Sequence, residues 1–103
     1  MDVELLVVPD CPNEVSAYDL TRTALAELDL SAAVTMTVIE SDEQAQARAF
    51  TGSPTFLING RDPFAEPGAG VGVACRVYRT PGGLAGVPTL EELLEELRRA
   101  ALA

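Results

Sequence analysis

The chain has no histidine, no lysine and only two cysteines, Cys11 and Cys75, among 103 residues. Without imidazole there is no Ser-His-Asp triad, no Cys-His dyad, no His-rich zinc site and no imidazole general base. Without lysine every basic side chain is an arginine. The seven run from Arg22 to Arg99 with only Arg98 and Arg99 adjacent, so the sequence holds no basic patch. A net charge of −9 makes the average surface repel nucleic acid and anionic lipid, and neither is expected as a partner. Long apolar runs are missing as well: Leu5 to Pro9 and Phe56 to Ile58 fall far short of a bilayer span. Asp2 and Glu4 give the first residues the wrong charge for a secretory leader. The expectation is a cytoplasmic protein with reduced thiols, no membrane partner, no cofactor and no metal site. The acids from Glu91 to Glu96 lack an oxygen-rich loop and read as a solvated helix face.

What is present suffices for one globular core. Hydrophobic residues make up 48% of the chain, and its length suits a single domain over 1–103. Val3 to Val8, closed by Pro9, reads as a buried strand. Pro12 then suits the first position of a helix, with Val15, Tyr18, Ala24, Leu25 and Leu28 on its apolar face. Ala33 to Ile39 alternates Val34, Met36 and Val38 with threonines, a second strand with Met36 in the core. Ser41 and Gln44 have the spacing of a capping box for a second helix that runs to Gly52. Thr55 to Ile58 forms a third strand, and Asn59-Gly60 turns the chain back. Residues 61–74, rich in glycine and proline, make a surface excursion before a fourth strand at Cys75 to Arg79. Gly82, Gly83 and their neighbours read as an irregular link. Thr89 caps a last helix with a Leu90, Leu93, Leu94, Leu97 stripe.

The order β-α-β-α-β-β-α predicts an α/β fold with three helices on a central four-stranded mixed sheet. Within it, Asp10-Cys11-Pro12-Asn13-Glu14 sits where a first strand passes into a first helix, and Gly52-Ser53-Pro54-Thr55 opens the third strand. On these two segments and the element order, nearly the whole chain resembles the thioredoxin-like superfamily, which includes the glutaredoxins. The resemblance implies that Cys11 is a reactive thiol exposed at a helix start, with Pro12 beside it. It implies that Pro54 follows a cis peptide, and that Ser53 and Pro54 form the edge that meets a protein or small-molecule thiol or disulfide substrate. Physically, a sulfur at a helix N-terminus faces unpaired N–H groups and the positive end of the dipole, which favour thiolate.

Glu14 stands where a dithiol member of this family carries its second cysteine. Thiol-disulfide exchange then takes a monothiol route, or Cys75 serves as the resolving thiol, and the residues permit both. Asp10 and Glu14 oppose an anionic partner such as glutathione. Other readings stand beside exchange. Each cysteine is also read as a small packed side chain, the domain as a redox-inactive module that binds partners at the Pro54 edge, and the two thiols as a Cu(I) or Hg(II) site if they lie close. Tyr18 and Tyr78 are expected to cover the edges of the core with their hydroxyls in water.

Overall fold

The run Val3 to Val7 is apolar except for Glu4, and it becomes the middle of a sheet. In the computed structural model, which describes residues 1–102, β1 (Asp2–Val7) lies between β2 (Ala33–Val38), its parallel neighbour, and β3 (Thr55–Ile58), its antiparallel one. The sheet order is β2-β1-β3. Val3 and Leu5 point with Phe56 and Ile58 into a core closed by α1 (Glu14–Glu27) and α3 (Leu90–Leu102). Leu6 faces the other way and packs with Ile39, Ala45 and Phe50 beneath α2 (Asp42–Ala47).

The α/β class, the three helices and the expected succession of elements are all present, but the central sheet has three strands, not four. The expected fourth strand, Cys75 to Arg79, touches the sheet at a single parallel bridge, Ser53 to Cys75. It then leaves, and β4 (Tyr78–Thr80) pairs with β5 (Gly83–Ala85) as a separate antiparallel hairpin. The cause is local. After the Asn59-Gly60 turn, whose φ angles are +52° and +81°, only the Ile58 to Arg61 bridge forms. Pro63 has no N–H to extend that pairing, and the Arg76 side chain occupies the space between β3 and residues 62–64. The hairpin replaces the expected irregular link, with Pro81 in its turn and Gly83 at φ +115°.

Two helix boundaries also move. α1 begins at Glu14 rather than Pro12, because the chain first closes a turn in which Glu14 N donates to Cys11 O at 3.2 Å. Its buried residues are Ala17, Thr21, Ala24 and Leu25, at helical spacing, while Val15 and Tyr18 of the expected face are exposed. Thr21 fits that face because its hydroxyl donates to Ala17 O at 2.9 Å. α2 stops at Ala47, well before Gly52. Ala49 takes φ +50°, and Phe50 N donates to Ala45 O at 2.9 Å, a Schellman closure that brings Phe50 onto Ala45 in the core. Met36, expected in the core, is 37% exposed because β2 is an edge strand. The Thr89 cap is a full capping box: Glu92 N donates to Thr89 Oγ1, and Thr89 N donates to Glu92 Oε1.

No helix among the described residues is long and apolar enough to cross a membrane.

Candidate functional site

The peptide between Ser53 and Pro54 is cis, and Ser53 is fully buried. Its side chain and backbone bind in two directions. Ser53 Oγ accepts from Val8 N at 3.0 Å, and so holds the end of β1 just before the Pro9-Asp10-Cys11 turn. Ser53 N donates to Ala74 O at 2.8 Å, and Ser53 O accepts from Arg76 N at 2.9 Å. The two segments that carry the cysteines are thus tied to one residue.

Those bonds change the expected substrate edge. Both backbone groups of Ser53 are taken by residues 74 and 76 of the same chain, so Ser53 offers no free N–H or C=O to an incoming strand. Gly52 makes this approach possible. At φ +139°, a Cβ on residue 52 would stand 2.8 Å from Arg76 Cβ, closer than packed carbons come.

Cys11 is buried, 7% exposed, rather than the open thiol the sequence led us to expect, whereas Cys75 is exposed; both are free thiols. Asp10 turns the chain into Cys11 with φ +57°, a value aspartate tolerates better than most residues. Cys11 N donates to Val8 O at 3.3 Å. Asn13, the N-cap of α1, makes no side-chain capping bond. Its amide lies instead against Gly86, in the space a Cβ there would fill. The Val15 and Ser16 N–H groups therefore have no protein acceptor among the described residues. Cys11 precedes an uncapped helix end, and Pro12 lies between them outside the helix.

Arg76 and Tyr78 complete the setting, and sequence reasoning assigned neither of them this role. Arg76 Nη1 pairs with Asp62 Oδ2 at 2.7 Å and also donates to Thr55 Oγ1 at 3.3 Å, while Nη2 donates to Phe64 O at 2.6 Å. The guanidinium carbon stands 4.6 Å from the centroid of the Tyr78 ring. Tyr78 is buried, contrary to the expectation of a hydroxyl in water, and its Oη donates to Pro54 O at 2.5 Å. Burial pushes its phenol well above the usual tyrosine range; Arg76 opposes that shift and Asp62 adds to it. The only sequence signal was a lone arginine inside an apolar run, Cys75-Arg76-Val77-Tyr78.

Beside Cys75 a half-open cleft of about 280 Å³ runs between residues 64–69 and the start of α3, with Phe64, Glu66, Arg79 and Glu92 in its walls. Among the described residues, no group of three or more Cys, Asp or Glu side chains is placed to hold a metal ion. Comparison of the chain with protein-family models, with curated proteins and with solved structures finds no match.

Proposed function

We propose that this domain is a thiol-disulfide exchange protein of thioredoxin-like type, in which Cys11 and Cys75 act as a separated pair. The observation that carries the reading is the double anchorage of Ser53, through Oγ to the Cys11 turn and through its backbone to the Cys75 segment. The Ser53–Cys75 bridge sets Cys75 beside the residue whose Oγ holds the end of β1, which supports the pairing. The cis Ser53-Pro54 peptide at the head of β3, and a cysteine between β1 and α1, support the family relationship.

The Cys11 thiolate, in the turn that precedes α1, attacks a substrate disulfide R–S–S–R′; a Cys11–S–S–R bond forms and R′S⁻ leaves. The exposed Cys75 thiolate then attacks Cys11 Sγ and expels RS⁻. The substrate gains two electrons, the pair becomes a disulfide, and an outside thiol must restore it. With the backbone of Ser53 already paired, the substrate is held by its sulfur and not as an added strand. That same closure weakens the alternative of a pure binding module at the Pro54 edge.

Reduced protein exposed to limiting disulfide, quenched by alkylation and weighed, tests this. Native protein should lose two hydrogens and take up no alkyl group, while Cys75→Ser should stop at a mixed disulfide on Cys11. Native protein that carries two independent adducts, with Cys11 unmodified in Cys75→Ser, would overturn the proposal.

A further inference from the structure

The cleft beside Cys75 takes no part in the attack of Cys11 on a substrate disulfide. Residues 75, 77 and 79 alternate with half-buried Arg76 and buried Tyr78, so Cys75, Val77 and Arg79 are the exposed residues of this segment. Phe64, half-buried, supplies an apolar surface, and Arg79 and Glu66 stand in the walls as an ion pair at 3.3 Å. That pair is 81% and 53% exposed, so it contributes little to stability and its two charges are available to a ligand. Arg76, by contrast, is neutralised by Asp62 and has no charge to spare. At about 280 Å³ the space is at the small end of ligand pockets and takes a molecule of amino-acid size.

We propose that this cleft is the docking site for a low-molecular-weight thiol or disulfide of the amino-acid class. Its carboxylate pairs with Arg79, its ammonium with Glu66, and its sulfur meets Cys75. This rests on the thiol-exchange reading, for which it supplies the reductant. The small thiolate attacks Cys75 Sγ of the Cys11–Cys75 disulfide, Cys11 leaves as thiolate, and a second molecule of the thiol displaces Cys75, giving the small disulfide and the reduced pair. Two thiols are oxidised for each protein disulfide reduced. A peptide donor finds no strand edge here, because the Ser53 backbone is already paired.

The test isolates Cys75 in a Cys11→Ser protein, with Cys11→Ala as a second background should the first fold poorly. Rates of mixed-disulfide formation are measured with cystine, cystamine, dithiodiglycolate and bis(2-hydroxyethyl) disulfide, each divided by its rate with a free small thiol. Cystine should exceed the other three by about fivefold, the scale of one exposed charge contact. Arg79→Ala should erase its advantage over cystamine, and Glu66→Gln its advantage over dithiodiglycolate. Both side chains are exposed, so neither change threatens folding. Four disulfides ranked as they are with free thiol, or a preference unmoved by both variants, would overturn the assignment. Because Cys11 is absent from this assay, charge selectivity without any Cys11–Cys75 disulfide in the native protein would sink the exchange cycle and leave the cleft standing, and the reverse result would do the opposite.

Discussion

Leu5 and Arg76 hold their parts of the chain in opposite ways. Leu5 is fully buried in a cluster drawn from β1, β3, α1 and α3, where many weak contacts share the burden and no single partner is indispensable. Arg76 fastens residues 62–64 and 74–78 through a handful of directed bonds, to Asp62, Thr55 and Phe64, in a region rich in glycine, alanine and proline. The first kind of support spreads through the sheet and helices. The second concentrates on one side chain, and it is the kind that holds the Cys75 segment against Ser53. The candidate site therefore depends on a polar lock more than on the core.

Leu5→Ala and Arg76→Met break that comparison most strongly. Leu5→Ala removes buried methyl groups and should lower global stability by about 2–5 kcal/mol, seen as a lower denaturant midpoint for all probes together. Arg76→Met keeps the aliphatic stem but strands the Asp62 carboxylate, which is 18% exposed, and the Phe64 carbonyl, at a cost of about 2–4 kcal/mol. Its signature should differ. Amide exchange should accelerate at Ser53 and over residues 72–76 while Val3 to Val7 stay protected, and the Cys75 thiol should react faster with alkylating reagent. Uniform loss of protection in Arg76→Met would show that the two regions are one cooperative unit.

Much of the core half was legible in the sequence because its signals are local. The apolar run of β1, the Asn59-Gly60 turn, the Thr89 cap and the leucine stripe of α3 each specify their own geometry. The misplaced face of α1 has a physical reason: Thr21 enters the core only by returning its hydroxyl to Ala17 O, which leaves Val15 and Tyr18 outside. The site was legible as a pair of segments, Cys11-Pro12 and Ser53-Pro54, but not in how they are closed. Whether Cys75 to Arg79 joins the sheet is decided by a side chain that reaches from residue 76 to residue 62, a tertiary choice that no periodicity encodes. Asn13 is similar: its type suits a cap, and its contact with Gly86 diverts it.

Tyr78→Phe sharpens the comparison at the seam between the halves. The ring meets Phe56 of β3 and Phe64 of the excursion edge to face, with centroids 6.0 and 5.7 Å away, and phenylalanine preserves both contacts. What is lost is the bond to the Pro54 carbonyl, whose orphaned acceptor should cost about 1–2 kcal/mol at neutral pH. The alkaline limb should change as well. Tyr78 ionises at higher pH in the folded chain than in the unfolded one, so its contribution is complete below the ordinary phenol value of about 10 and is lost as the pH rises beyond it. Tyr78→Phe should flatten that decline between about pH 10 and 12, and a slope identical to native would place the alkaline loss elsewhere.

Glu4→Gln should have the smallest effect, because it probes a polar contact on the sheet face that lacks any such lock. Glu4 accepts from Arg48 Nη2 at 2.5 Å and from Thr37 Oγ1 at 2.6 Å, and these bonds, Arg48 first, hold its carboxyl below the usual glutamate range against a small opposing effect of burial. A lowered folded value means the contribution is present above the unfolded pKa and disappears as the pH falls through the folded one. The Arg48 side chain is 38% exposed, so solvent screening limits the whole contribution to about 1 kcal/mol or less. Glu4→Gln should therefore lower the denaturant midpoint slightly at pH 7 and converge with native protein once the pH has fallen through the lowered folded value. It should leave the reactivity of Cys75 untouched, since Glu4 and Arg48 make no contact with the Arg76 bonds. A change in thiol reactivity equal to that of Arg76→Met would mean that the sheet and the excursion share one set of restraints, and that the lock at Arg76 is not separate from the core.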